Sequence, residues 1–167
     1  AMVEGVLMAL AKTRRKVLVV PETLNPRYLA VLETHMACEQ VEIRTAARGD
    51  DGATSAASLR EVLDDSVGVV VIQNPNYLGC LERCDELAEA AAECGALVVA
   101  GVNPVSLSLL KTPGEYGAAV AVGEAQPLGI PPTWGGPLLG FLACSDDLKR
   151  QIPGRVVGRT EDGQGRA

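Results

Sequence analysis

Six short runs rich in β-branched and small apolar residues recur along this chain, each separated from the next by a longer polar or helix-patterned stretch. The runs are Val17 to Val20, Val41 to Arg44, Val67 to Ile72, Ala96 to Ala100, Ala118 to Val122 and Leu138 to Ala143. That alternation restricts the fold more than any other feature, because strands that alternate with helices pair in parallel through crossover connections. Most of the runs are apolar throughout rather than at every second residue, as expected of strands covered by helices on both faces. The expected fold class is therefore α/β, a three-layer sandwich around a mostly parallel sheet. In such open sheets, ligands sit outside the carboxyl ends of the strands.

The intervening segments carry helix signals. A helix-like pattern opens the chain from Met2 to Lys12, and Asn25-Pro26 offers a capping side chain and a first-turn proline for a helix running to about Met36. A shorter helix is expected over Thr54 to Leu63. Another spans Glu82 to Glu93, with Leu87, Ala88, Ala91 and Ala92 at helical spacing and Gly95 just beyond its end. Ser145-Asp146-Asp147 reads as the cap of a last helix, with Lys149 and Arg150 towards its other end and Pro153-Gly154 closing it. There is no internal repeat and no low-complexity segment. The 167 residues suffice for one domain with a sizeable core. Opening inside a helix pattern and ending in the polar tail Thr160 to Ala167, residues 1–167 read as a single domain that is a fragment of a longer protein.

Charge and cysteine usage narrow the function classes. A formal charge of -6, with basic residues scattered or in short clusters such as Lys12 to Lys16, argues against a nucleic acid partner. No apolar run reaches the roughly 18 residues of a membrane span, and no leader-like start is present. A cytoplasmic location without membrane contact is expected. The five cysteines, Cys38, Cys80, Cys84, Cys94 and Cys144, are odd in number and scattered, so they read as reduced thiols. Cys80 and Cys84 could share a face at a helix start. With His35 the only histidine and distant in sequence, they read as packing residues and no metal site is expected. His35 itself reads as a surface residue, Asp64-Asp65 as solvated turn residues, and Arg155 as either an anion ligand or half of a surface ion pair.

Three motifs carry a family resemblance. They are the rigid Gly/Pro-rich run Gly123 to Pro137, the turn Gln73-Asn74-Pro75-Asn76-Tyr77-Leu78-Gly79, and Pro153-Gly154-Arg155-Val156-Val157-Gly158. Together they resemble the P-protein of the glycine cleavage system, glycine dehydrogenase (decarboxylating), and more narrowly its N-terminal half, which some organisms make as a separate subunit 1. The resemblance covers essentially the whole chain. It implies the large domain of fold-type I pyridoxal-phosphate-dependent transferases, and an oxidoreductase that decarboxylates glycine and passes its aminomethyl group to the lipoyl arm of the H-protein. In that fold the 73–79 turn borders the cofactor cleft, although Asn-Pro-Asn alone reads as a tight turn. The phosphate-binding Ser/Gly turn of that fold would fall just upstream of Ala1.

Two groups that such chemistry needs are missing. Where the fold presents an aspartate to the pyridine nitrogen, this chain has Gly101, with Asn103 nearby. The Schiff-base lysine would precede the Gly/Pro-rich run, yet Thr112 to Leu148 holds none, and Lys111 and Lys149 read as solvated charges. The resemblance therefore implies the half without the lysine. Subunit 2 would hold pyridoxal phosphate covalently, and this piece alone would carry no cofactor and no catalytic residue. Asn74, Asn76 and Asn103 are the candidate cleft-lining residues. Gln126, Pro127, Trp134, Gly135 and Gly136 are candidates for a cleft or interface loop, in which the only tryptophan suggests a contact surface. The alternative is a stand-alone α/β ligand-binding or assembly module without activity. No G-x-G-x-x-G or phosphate-binding G-x-x-x-x-G-K-[ST] motif supports a nucleotide site.

Overall fold

The structure is a computed structural model that describes residues 1–166; Ala167, the end of the polar tail, lies outside them. Six strands, β1 (Val17–Pro21), β2 (Glu42–Ala46), β3 (Val67–Asn74), β4 (Leu97–Val102), β5 (Val120–Glu124) and β6 (Gly140–Cys144), form one sheet in the order β2-β1-β3-β4-β5-β6. The first five are parallel, and β6 returns antiparallel to β5. Four helices cover the sheet: α1 (Met2–Thr13), α2 (Pro26–Glu39), α3 (Ala56–Val62) and α4 (Cys84–Glu93).

Two apolar layers hold the sandwich. On one face Val6, Ala9 and Leu10 of α1 and Leu32 and Met36 of α2 meet Leu18, Val20, Val69, Val71 and Val99. On the other, Leu59 of α3 and Leu87, Ala88 and Ala91 of α4 meet Val19, Val70, Ile72, Val98 and Ala100. Gly5 lets α1 lie close on the sheet, since a Cβ there would sit 3.1, 3.2 and 3.3 Å from the Val120, Val122 and Val99 side chains. As the sequence implied, Asn25 caps α2, its Oδ1 accepting from the Arg27 amide at 2.9 Å, with Pro26 in the first turn. At the amino edge of the sheet, Arg15 Nη1 donates to the Val67 and Cys94 carbonyls, each at 2.8 Å, and so ties the start of β3 to the end of α4.

Besides shifts of one or two residues at the ends of β4, β5 and β6, the elements depart from the sequence expectation in three places. β3 runs on through Gln73 and Asn74, because their backbones still pair with Gly101 and Val102 of β4. β2 is an outer strand with only Ala46 buried, so it is not covered on both faces. The last helix is a short 3-10 segment, Asp146–Gln151, because Ser145 Oγ bonds the Asp147 carboxylate at 2.6 Å and caps no backbone amide. Its buried Leu148 and the 3.2 Å pair Lys12–Asp147 fasten it to α1. Among the described residues no helix is long and apolar enough to cross a membrane.

Candidate functional site

A cleft of about 550 Å³ opens at the carboxyl ends of β3, β4 and β5, where an α/β sheet is expected to receive ligands. Its floor follows from strand register: Gln73, Gly101 and Val122 lie side by side, with Val102 and Gly123 one residue further along. Met2 of α1 and Tyr28 and Val31 of α2 close one side, and Pro75, Asn76, Asn103, Glu124 and Pro127 line the mouth.

Most polar groups of this wall are already engaged. Gln73 Oε1 accepts from the Asn25 amide at 2.8 Å, which ties the start of α2 to the end of β3. Glu124, the charged side chain of the wall, accepts through Oε1 from the Gln126 amide at 3.0 Å and the Leu139 amide at 2.5 Å. It thereby pins both ends of the Gly/Pro-rich loop. Asn103 Oδ1 accepts from the Val105 amide at 3.0 Å and turns the chain after β4. Asn76 lines the cleft, but its side-chain amide is turned into a buried network. Asn74 is not part of the wall; its Oδ1 accepts from the Glu82 amide at 3.1 Å beneath it.

The predicted loop divides in two. Pro127 lines the cleft, and Gln126 Nε2 donates to the Ile130 carbonyl to hold the base. Trp134, Gly135 and Gly136 form a turn at the tip, closed between Thr133 and Gly136. Trp134 is fully exposed there, with Leu128, Leu138 and Leu139 also open to solvent.

Beneath the mouth lies a cluster that sequence reasoning missed. The Glu82 carboxylate, only 8% exposed, accepts from Thr23 Oγ1 at 2.9 Å, Thr54 Oγ1 at 3.0 Å, Asn76 Nδ2 at 2.8 Å and the Thr54 amide at 2.7 Å. An acidic residue just before a helix, with no basic partner at helical spacing, was its faint sequence signal. Among the described residues no cation pairs with it by contact; neighbouring Arg83 instead reaches Asp51 at 2.7 Å on the surface.

Among the described residues, those of the cleft do not fit covalently held pyridoxal phosphate. None of the chain's lysines lines it. Lys12 pairs with Asp147, Lys111 with Asp85 at 2.9 Å and Lys149 with Asp146 at 3.6 Å, while Lys16 donates to the Glu39 carbonyl at 2.8 Å. At Gly101, a Cβ would come within 2.8 Å of Met2 Cε, so a methyl group stands where a ring-facing acid would project. No group of three or more His, Cys, Asp or Glu side chains could hold a metal among the described residues. Cys80 precedes α4, which begins at Cys84, so the two do not share a helical face.

Comparison with known proteins gives consistent findings. The model of the family "Glycine cleavage system P-protein" matches residues 1–167. A probable glycine dehydrogenase (decarboxylating) subunit 1 of Desulfitobacterium hafniense is 45% identical over 99% of this chain and 37% of its own length; that of Desulforamulus reducens is 44% identical with the same coverage. A crystal structure of a glycine decarboxylase (P-protein) of the glycine cleavage system in inhibitor-bound form superposes with a TM-score of 0.89. It is 44% identical, over 98% of this chain and 36% of that one. A sphingosine-1-phosphate lyase of Burkholderia pseudomallei, 13% identical over 90% of this chain and 37% of its own, shares the fold with a TM-score of 0.69.

Proposed function

Since the chain belongs to the glycine cleavage system P-protein family, we propose that it is a domain of the half that completes the glycine-decarboxylating site without carrying the cofactor. It spans about 37% of the length of the curated relatives it matches, so the reading concerns the longer subunit of which residues 1–167 would form one domain. In this reading subunit 2 supplies the lysine that holds pyridoxal phosphate and the acid that faces its ring nitrogen. The substrate is glycine, the acceptor of its aminomethyl group is the lipoyl arm of the H-protein, and the assembly is a cytoplasmic heteromer acting in glycine catabolism.

One observation carries the proposal: a cleft at the ligand edge of a cofactor-enzyme fold that has no lysine side chain among its described lining residues and has Met2 packed over Gly101. What the chain contributes is shape. Glu124 holds the base of the 125–139 loop against the cleft, and the exposed tip around Trp134 offers an aromatic anchor to the other subunit. Release of labelled carbon dioxide from carboxyl-labelled glycine, measured for full-length subunit 1, subunit 2 and their mixture, tests the reading. Activity is expected from the mixture alone. Full activity of subunit 2 by itself would reduce this chain to an assembly module.

A further inference from the structure

A carboxylate buried without a cation is costly unless donors surround it, and the Glu82 carboxylate accepts four hydrogen bonds, from Thr23, Asn76 and, twice, Thr54. Those donors come from three separate loops: Thr23 follows β1, Thr54 follows the end of β2, and Asn76 follows β3. All three strands are neighbours, and β1 and β3 flank the point where the chain changes direction across the sheet. One side chain thus joins three loops at the ligand edge.

The consequence falls on residues 75–81, a lip that begins with the cleft residues Pro75 and Asn76 and runs on past the cleft wall. With its Nδ2 fixed by Glu82 and by the Gly52 carbonyl at 2.9 Å, Asn76 uses Oδ1 to accept from the Leu78 and Cys80 amides, each at 3.0 Å. The Tyr77 amide donates to the Thr23 carbonyl at 3.0 Å. A lip held this firmly from below nonetheless presents Tyr77, Leu78 and Leu81 outward, 57%, 52% and 56% exposed. Core stability does not require an apolar lip to be held open to water.

We infer that Glu82 is a positioning residue: its carboxylate sets the shape of the Pro75–Asn76 wall of the cleft through the Tyr77–Leu81 turn that follows it. It does not line the cleft and touches no reacting group. A glutamine cannot replace it, because its amide would turn a donor towards the Thr54 amide or the cluster on the other oxygen. The role in turnover rests on the proposed function above.

The test compares Glu82→Gln, Thr54→Val and Thr54→Ser in full-length subunit 1 mixed with subunit 2, with Leu87→Ala as a control that weakens the core under α4 without touching the cluster. Hydrogen exchange of the Tyr77, Leu78 and Cys80 amides should quicken at least about tenfold in Glu82→Gln and Thr54→Val, as expected when a hydrogen bond to a charged group is lost. Thr54→Ser, which keeps the hydroxyl, should restore slow exchange. The apparent KM for glycine should rise several-fold in the first two variants with kcat largely kept, whereas Leu87→Ala should leave KM unchanged. Unchanged exchange, or faster exchange with an unchanged KM, overturns the inference. If Glu82→Gln does not fold, the Thr54 pair decides the question by the same readings. An inactive wild-type mixture would instead refute the proposed function and with it the role in turnover, while the exchange data still report on the lip.

Discussion

Tyr116 is buried against α4 with a hydroxyl that has no conventional hydrogen-bond partner among the described residues. The Cys84 thiol, a weak donor and acceptor, is its nearby polar neighbour, with the Asp85 charge a smaller influence. Tyr116→Phe should therefore change the denaturant midpoint little, by less than about 1 kcal/mol, and a larger loss would mean that the hydroxyl is bonded. Burial first, then the nearby Glu82 carboxylate, pushes the Cys84 thiol up to about 11. Alkylation at pH 8 should consequently label exposed Cys38 and spare Cys84 in the native protein, as peptide mass mapping would show. Asp64 moves the other way: the Ser66 hydroxyl, then the Arg44 guanidinium, hold its carboxyl near 2, against an ordinary 3.8. A group depressed on folding stabilises the native state above its ordinary value and loses that contribution as pH falls through the native one. Asp64→Asn should accordingly flatten the decline of stability between pH 4 and 2. These residues show why the site was only partly legible in the sequence. That Thr112 to Leu148 holds no lysine and that Gly101 is not an acid is plain in the sequence itself, whereas Glu82 gains its meaning from Thr23 and Thr54, which no local pattern connects to it.

The elements were most legible where burial is two-sided. β1, β3 and β4 are covered by both helical layers and read as unbroken apolar runs. β2, an edge strand, was found with its bounds shifted by one or two residues, because an exposed edge needs no apolar run, and the 3-10 segment after β6 was expected as a full helix, because a capping-like serine can bond a neighbouring carboxylate instead. The close approach of β4, β5 and β6 at Gly123 was not visible either. A Cβ there would run into the Val102 carbonyl oxygen and lie 2.6 and 2.7 Å from atoms of the Phe141 ring. Gly123→Ala should thus cost on the order of 1–3 kcal/mol in chemical denaturation, since the obstacle is partly backbone and cannot rotate away. An unchanged midpoint would mean that the strands separate freely at the cleft floor.

For the whole molecule, a helix-covered sheet presents at its carboxyl edge a cleft with no lysine among its described lining residues, and an apolar tip at Trp134. If that tip meets the other subunit, Trp134 fluorescence should be open to acrylamide quenching in the chain alone and become protected on mixing. Trp134→Ala should weaken association, because a buried aromatic anchor can carry 2 kcal/mol or more of an interface, roughly thirtyfold in affinity. The most direct test of the central claim is borohydride reduction of the mixed subunits in the presence of pyridoxal phosphate, followed by mass spectrometry to locate the trapped lysine. Labelling confined to subunit 2 is the predicted result; stoichiometric labelling of Lys12, Lys16, Lys111 or Lys149 in this chain would contradict it.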